Sequence, residues 1–203
     1  MNHPPTRRLP KRDVLAWPGL CALLALASVA AWFYDDSTDL IWTAAYWTHE
    51  PWVLWTASVI HLSLSHLLAN MAALLVLAVL GSYLQAGPSS VVALLLAWPL
   101  GTLALLWWPQ VIWYSGMSGL LNAMAAVLWA HAVLHAARPL SFVIFASMGL
   151  KLLSEHAWSQ PIAFDPNWGF NVVYAAHLAG AAAGAVCGIA LEGIAEIAKR
   201  VRA

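Results

Sequence analysis

Six long apolar stretches, separated by short polar breaks, dominate the hydrophobic pattern of this chain. They predict membrane-spanning helices, because a hydrocarbon layer about 30 Å thick is crossed by roughly 20 apolar residues. The predicted spans lie at residues 14–34, within 53–84, and at 91–108, 118–137, 140–156 and 172–197. Turn and breaker signals such as Gly87-Pro88 and Arg138-Pro139 separate them. The pattern therefore predicts an all-α membrane protein, a bundle of six transmembrane helices.

The composition supports a membrane protein of one domain. Hydrophobic residues make up 62% and charged residues only 9% of the 203 residues, whereas soluble domains have about a quarter charged residues. We expect a helical core at 14–197 between short tails at 1–13 and 198–203. The net charge of zero gives no reason to expect a nucleic-acid partner. Cys21 and Cys187 lie in apolar runs and are expected to be small core residues, so no disulfide, metal or cofactor is predicted.

The distribution of basic residues predicts the orientation in the membrane. Six spans place both termini on the same side. Basic residues mark the cytoplasmic side, and here they concentrate at both ends and at Arg138, with Lys151 as the exception. The basic positions at the ends are Arg7, Arg8, Lys11, Arg12, Lys199, Arg200 and Arg202. Both termini are therefore expected to be cytoplasmic, which puts the start of the fourth span near the outer face.

A G-x-S-G motif, Gly116-Met117-Ser118-Gly119, stands where a polar break meets the fourth span. Glycines on both sides of a serine let another chain approach its hydroxyl closely. A serine that opens a helix also lies among backbone N–H groups without intrahelical partners, which can hold developing negative charge. These features suit a serine nucleophile. By itself the motif is more often a sign of close helix packing in an apolar protein.

Polar side chains inside predicted spans are costly and by default suggest function. His66 and Asn70 are four residues apart in the second span and share a helix face. Their side chains either both donate hydrogen bonds to one common group or form an interhelical hydrogen bond that only stabilises packing. His61 lies around the helix from them, in the outer half of the span, and is expected to be an interfacial or loop-holding residue.

A stripe of small residues follows His177 in the sixth span. Gly180, Gly184 and Gly188 come three, seven and eleven residues later and so lie on the face of His177. The fourth span has small residues at matching spacings: Gly119, Ala123, Ala126 and Ala130. If these stripes pack together, Ser118 and His177 become neighbours, and histidine is the usual activator of a serine nucleophile. Glu155 is a candidate for the carboxylate of a triad, but it lies at the outer end of the fifth span. We therefore expect a Ser–His dyad.

Two further pairs of polar residues are weaker candidates for functional residues. His131 and His135 have the i,i+4 spacing of metal ligands, but no third ligand is evident, and an interfacial polar face is favoured. Lys151 and Glu155 are also four apart and are expected to pair with each other or to face water.

Taken in order, three motifs resemble those of the rhomboid intramembrane serine proteases. They are His61-x-Ser63-x-x-His66-Leu-x-x-Asn70, Gly116-x-Ser118-Gly119 and Ala176-His177-x-x-Gly180-x-x-x-Gly184. The resemblance implies Ser118 as nucleophile, His177 as base, and His66 and Asn70 as oxyanion donors. It also implies that His61 supports the first loop and that the loop of Trp168 and the fifth span gate the site. Two features depart from the family pattern. Asn122 stands where many members have an aromatic residue, and Glu50-Pro51-Trp52-Val53 lacks the arginine often found in the first loop.

The minimal six-span form looks most like the rhombosortase subfamily. That likeness implies a bacterial inner membrane protein with its active site toward the periplasm. Its substrates would be membrane-anchored proteins with a C-terminal Gly-Gly, apolar helix and basic tail. The alternatives are a general rhomboid protease of single-span proteins, a non-catalytic rhomboid-like protein that binds membrane helices, and a transporter using the span histidines as a proton relay. The second would be expected to lose Ser118 or His177, and the third leaves the G-x-S-G motif unexplained.

Overall fold

A computed structural model describes residues 13, 15–34, 37–135 and 137–201 of the chain. The α-helices among them are α1 (Ala16–Trp32), α2 (Val53–Thr56), α3 (Leu64–Tyr83), α4 (Pro88–Leu103), α5 (Ser118–Leu134), α6 (Arg138–Glu155) and α7 (Tyr174–Val201). The basic positions Arg7, Arg8, Lys11, Arg12 and Arg202 lie outside the described residues.

The long apolar helices indicate a helical membrane protein, as predicted. In the described part of the chain, three helical segments are long and apolar enough to cross a membrane: Leu64–Tyr83, Pro88–Trp107 and Tyr174–Ala198. The second of these is α4 with the 3-10 turn that continues it. The helices α1 and α5 are also apolar, with 17 residues each. The number of spans and the side of the termini stay predictions.

The second predicted span differs from the structure at its outer end. The apolar run from Val53 forms the short α2 and a 3-10 turn, and the chain is extended at Ile60 before α3 starts. Ser63 caps α3, because its Oγ accepts a hydrogen bond from the His66 N–H at 3.2 Å. His61 therefore precedes the helix, and its predicted place in the outer half of the span is wrong. Hydropathy alone did not separate α2 from α3, since both are apolar.

The small-residue stripes of α5 and α7 pack directly against each other, as predicted. A Cβ on Gly180 would overlap the carbonyl oxygen of Gly119. One turn further, a Cβ on Gly184 would lie 2.8 Å from the Cα of Ala123. A Cβ on Gly188 would lie 2.8 Å from the Cβ of Ala130. Glycine at these positions thus lets the two backbones touch along three turns.

Helix α5 lies at the centre of the bundle, in contact with α3, α4, α6 and α7. Its side chains Met124, Val127 and Leu128 are completely buried. Helix α1 packs against α3 at the edge of the bundle. There Trp17 lies over Gly81 and donates its Nε1–H to Leu77 O at 3.1 Å. The first turn of α5 is therefore held by neighbours on several sides.

Two small antiparallel sheets add to the predicted all-α fold. Strand β1 (Trp42–Thr43) pairs with β2 (Trp113–Tyr114), and β3 (Ala163–Asp165) pairs with β4 (Phe170–Val172). The first pairing ties the loop after α1 to the segment just before Ser118. Trp42 of that loop is completely buried. Part of the loop after α1 is thus folded against the segment that leads into α5.

The contact between α5 and α7 can be tested with a matched pair of substitutions on one helix. Gly184→Leu places a side chain against the backbone of Ala123, and such overpacking typically costs about 1–3 kcal/mol. We expect a lower melting temperature in detergent. Gly193→Leu is the control, because nothing lies within 4 Å of a Cβ at Gly193. Equal melting temperatures for the two variants would contradict the packing.

Candidate active site

The turn before Ser118 requires glycine for two reasons. Gly116 has a φ of +117°, in the left-handed region that favours glycine. A Cβ at this position would also lie 2.8 Å from Cε1 of His66. The Gly116 N–H donates to Ala57 O at 2.9 Å, which joins the turn to the segment before α3. Gly116 thus lets the imidazole of His66 lie directly against the turn that opens α5.

Tyr114 holds the same turn from inside the protein. Its hydroxyl donates to the carbonyl oxygen of Gly116 at 2.5 Å. Burial raises the pKa of Tyr114, so the hydroxyl stays protonated and remains a donor. Gly119 leaves room for it, because a Cβ there would lie 2.7 Å from the Tyr114 hydroxyl. No role was predicted for Tyr114 from the sequence, although it lies just before the motif.

Ser118 and His177 are neighbours, as the packed stripes predict. The Oγ of Ser118 lies 2.8 Å from Nε2 of His177. His177 is buried, whereas Ser118 is partly exposed. Gly119 and Gly180 meet directly beneath this pair, so the closest approach of the two helices sets the distance between the two side chains. The arrangement has the geometry of a serine activated by a hydrogen-bonded imidazole.

The expected dyad differs from the structure, in which a carboxylate reaches His177. Glu155 Oε2 lies 2.8 Å from His177 Nδ1, and Glu155 Oε1 lies 2.6 Å from Lys151 Nζ. The predicted pairing of Lys151 with Glu155 is confirmed. Helix α6 ends at Glu155, and the left-handed His156 turns the chain away. The C-terminal end of α6 is thus level with the first turns of α5 and α7, where the serine and histidine lie.

The two neighbours of His177 Nδ1 select different tautomers. If Nδ1 carries the proton and donates to Glu155, Nε2 is free to accept the hydroxyl proton of Ser118. Lys151 Nζ lies 2.9 Å from the same Nδ1. An ammonium can only donate, so its hydrogen bond requires Nδ1 to accept, and Nε2–H would then donate to Ser118. The tautomer that faces Glu155 is the one that suits a general base.

Asn122, where many rhomboids have an aromatic residue, does not hold His177. Its Nδ2 donates to Ser118 O at 2.8 Å, within the first turn of α5. The ring of Tyr174 instead stands edge-on to His177, with 5.8 Å between the ring centroids. Together with Glu155 and Lys151, Tyr174 accounts for the orientation of the imidazole.

His66 and Asn70 line the same cavity as Ser118 and His177. His66 Nδ1 and Asn70 Nδ2 are buried and have no hydrogen-bond partner among the described residues. Buried polar atoms without partners are uncommon. These two atoms therefore do not form the interhelical hydrogen bond that was the alternative explanation of the pair.

The cavity has a volume of about 920 Å³ and lies between α3, α5 and α6. The hairpin of β3 and β4 covers one side of the cavity. The rings of Trp168 and Phe170 lie 5.9 and 5.2 Å from that of His66, measured between centroids. His61 packs edge-on against His66 at 5.1 Å, and its Nδ1 lies 3.0 Å from Val59 O. Support of the first loop by His61 stays a prediction.

The histidine pair of His131 and His135 lies away from the cavity of Ser118. Among the described residues, a single group of histidine and carboxylate side chains has the spacing of metal ligands, namely His131, His135 and Glu192. None of the three lines the cavity of Ser118. The sequence analysis did not find Glu192, because no spacing relates it to the two histidines, which precede it by more than 50 residues.

Comparison with known families agrees with this geometry. The model of the Rhomboid domain matches residues 48–193, which is more than half of the chain and includes every residue of the cavity site named above. No curated protein matches the chain. A serine–histidine hydrogen bond in an apolar helical bundle, together with this match, leads to one conclusion. The chain belongs to the rhomboid family, which is known for intramembrane serine proteases.

Proposed function

We propose that the chain is an intramembrane serine endopeptidase in which Ser118 is the nucleophile and His177 the general base. The observation that carries this proposal is the 2.8 Å contact between Ser118 Oγ and His177 Nε2. It lies in a cavity between apolar helices, where a membrane-embedded peptide can reach it.

The proposed reaction is peptide hydrolysis in two stages. His177 accepts the hydroxyl proton of Ser118 while the oxygen attacks the scissile carbonyl carbon. The tetrahedral intermediate then collapses as His177 gives that proton to the leaving amine, and an acyl-enzyme on Ser118 remains. In the second stage His177 takes a proton from water, the hydroxide attacks the ester, and Ser118 regains its proton. Water is the only co-reactant, and both side chains are regenerated.

His66 and Asn70 are proposed to stabilise the oxyanion beside the Ser118 backbone N–H. The support is that both side chains line the cavity with a buried ring or amide nitrogen that lacks a partner. Donors already in place act without reorganisation when the negative charge develops. Loss of one such donor lowers the rate by about 10²–10³ in a soluble serine protease.

Glu155 is proposed to position His177, which extends the expected dyad to a Ser–His–Glu array. Its carboxylate accepts Nδ1–H, which keeps the lone pair of Nε2 toward Ser118. The negative charge also stabilises the imidazolium that forms during attack. Lys151 neutralises part of that charge through its 2.6 Å ion pair with Glu155.

Six spans with both termini in the cytoplasm remain our proposal for the topology. The support is that the described residues contain six helices of at least 16 residues. An even number returns the chain to its starting side. Ser118 then lies near the outer face, on the periplasmic side of a bacterial inner membrane, where water can enter for hydrolysis.

A substrate helix is proposed to enter between α3 and α6. Apolar side chains line the cavity on both sides: Ala73 and Leu77 from α3, and Ile144 and Met148 from α6. Trp168 and Phe170 would have to move from His66 to admit a peptide. Unwinding of the substrate is a separate step, because the carbonyl groups of a helix are engaged in hydrogen bonds and cannot be attacked. Glycine lowers the helix stability by about 1 kcal/mol relative to alanine, so cleavage beside small residues is expected.

The rhombosortase assignment predicts a particular substrate. An exported protein with a C-terminal Gly-Gly, apolar helix and basic tail should be cleaved near the outer membrane boundary when co-expressed with the wild type. Co-expression with Ser118→Ala should leave the tail intact, because the attacking oxygen is missing. Mass spectrometry of the new C-terminus measures the cut. A substrate with both glycines replaced by valine is the control and should be processed poorly.

Two outcomes would separate the parts of this proposal. Efficient Ser118-dependent cleavage of a general single-span substrate, with the Gly-Gly tail uncut, would reject the subfamily and keep the protease. Equal processing of the tail by wild type and Ser118→Ala would reject the protease itself.

The role of Glu155 predicts a selective loss of turnover. Glu155→Gln removes the negative charge opposite the imidazolium and should lower kcat by about a hundredfold or more, with little change in KM. Glu155→Asp should recover part of the loss. Glu196→Gln is the matched control, because Glu196 pairs with Arg200 on the exposed surface of α7. If Glu155→Gln cleaves as fast as wild type, Ser118 and His177 suffice as a dyad.

A further inference from the structure

The end of α5 remote from Ser118 carries a second group of polar side chains. His131 lies 13 residues after Ser118, about 20 Å along the helix axis. His131 of α5 and His135, which directly follows that helix, lie near Glu192 of α7, and one ligand atom from each lies within 4.8 Å of the others. Glu192 is 1% exposed and His131 6% exposed. The proposed protease mechanism makes no use of these residues.

The spacing of the three side chains suits a small divalent cation. Glu192 Oε2 lies 3.2 Å from Nδ1 of His131 and 3.9 Å from Nδ1 of His135. Zinc bonds to imidazole nitrogen and carboxylate oxygen are about 2.0–2.2 Å long, so tetrahedral ligand atoms stand about 3.4 Å apart. One ligand atom from each of the three side chains lies within 4.8 Å of the others, which is the separation that rotation of the side chains has to close.

Hydrogen bonds to neighbouring groups decide which atoms keep a lone pair for such an ion. Nδ1 of His135 lies 2.9 Å from His131 O and donates to that carbonyl, which leaves Nε2 as the nitrogen of His135 that can bind a metal. Glu192 Oε1 accepts from the hydroxyl groups of Ser89 and Ser90, at 3.0 and 2.5 Å. Its other oxygen, Oε2, therefore faces the imidazoles. His131 Nε2 lies 3.1 Å from Leu84 O, and donation of Nε2–H to that carbonyl leaves the Nδ1 lone pair toward Glu192. Outer hydrogen bonds of this kind orient the ligands in natural metal sites.

A simple buried ion pair explains less of the arrangement. A protonated His131 would balance Glu192, but the ring of His135 also stacks on His131, with 4.2 Å between centroids. Nδ1 of His135 donates to His131 O, and the same ring comes within 3.9 Å of Glu192 Oε2. Two histidines beside one buried carboxylate are the donor set of a 2-His-1-carboxylate site. His135 has 27% of its side chain exposed, which gives an ion a path of entry.

We infer that His131, His135 and Glu192 form a site for a divalent transition metal ion, with Zn²⁺ the best fit. Two nitrogens and one oxygen bind the ion, and water takes the fourth position of the tetrahedron. Because its ligands come from α5 and α7, the ion links these helices at the end opposite Ser118. The two serines that donate to Glu192 belong to the first turn of α4, so this helix is connected to the same site.

Zinc binding to the purified full-length protein tests the site directly. The protein carries an affinity tag without histidine, is freed of metal with a chelator, and is titrated with Zn²⁺ against a chromophoric competitor. We expect one Zn²⁺ per chain and a higher melting temperature with the ion. His135→Ala should weaken the affinity by at least about a hundredfold. His49→Ala, at an exposed histidine in the loop after α1, is the control and should bind like wild type.

A ligand substitution separates metal binding from a structural role of the histidine. His135→Cys keeps a zinc ligand and should retain zinc-dependent stabilisation, whereas His135→Ala should melt at the same temperature with and without Zn²⁺. Since His135 is partly exposed, both variants are expected to fold. No zinc uptake by wild type, or equal uptake by wild type and His135→Ala, would overturn the inference. These readouts do not depend on proteolysis, so they stand apart from the proposed function.

Discussion

The closest approach of α5 and α7 is the constraint on which the rest of the structure depends. Gly180 lies where any side chain would overlap the carbonyl oxygen of Gly119. Next to this contact, the Ser118 and His177 side chains meet at 2.8 Å. A hydrogen bond between two short side chains on different helices requires backbones this close. The glycine stripe therefore sets the distance between Ser118 and His177, although no glycine takes part in the proposed reaction.

The same two helices carry polar groups at both ends of an otherwise apolar contact. At the end that holds Ser118, the charges of Glu155 and Lys151 on α6 lie against His177. At the other end, Glu192 is held by two serines and faces His131. Buried ionisable groups in a membrane protein are costly unless they are paired. Here each is paired across helices, so both polar clusters also fix how the helices of the bundle lie against one another.

The sequence predicted the parts of this arrangement that repeat along one helix. The span pattern, the packed stripes and the shared face of His66 and Asn70 all follow from the 3.6-residue period. The partners Glu155, Tyr114 and Glu192 come from other elements, so spacing gave no measure of their distance from the site. Glu155 was set aside because it ends its helix, yet that end is level with the serine. The position of His61 was missed because two apolar helices follow each other without a polar break.

The most direct measurement of the central claim is the reactivity of Ser118 toward a fluorophosphonate in a lipid bilayer. Peptide mass spectrometry locates the adduct, and the time course gives its rate. If close helix packing activates Ser118 through His177, wild type should carry the adduct on Ser118, Ser118→Ala should carry none, and His177→Ala should react far more slowly. An adduct on another residue, or equal rates for wild type and His177→Ala, would contradict the account.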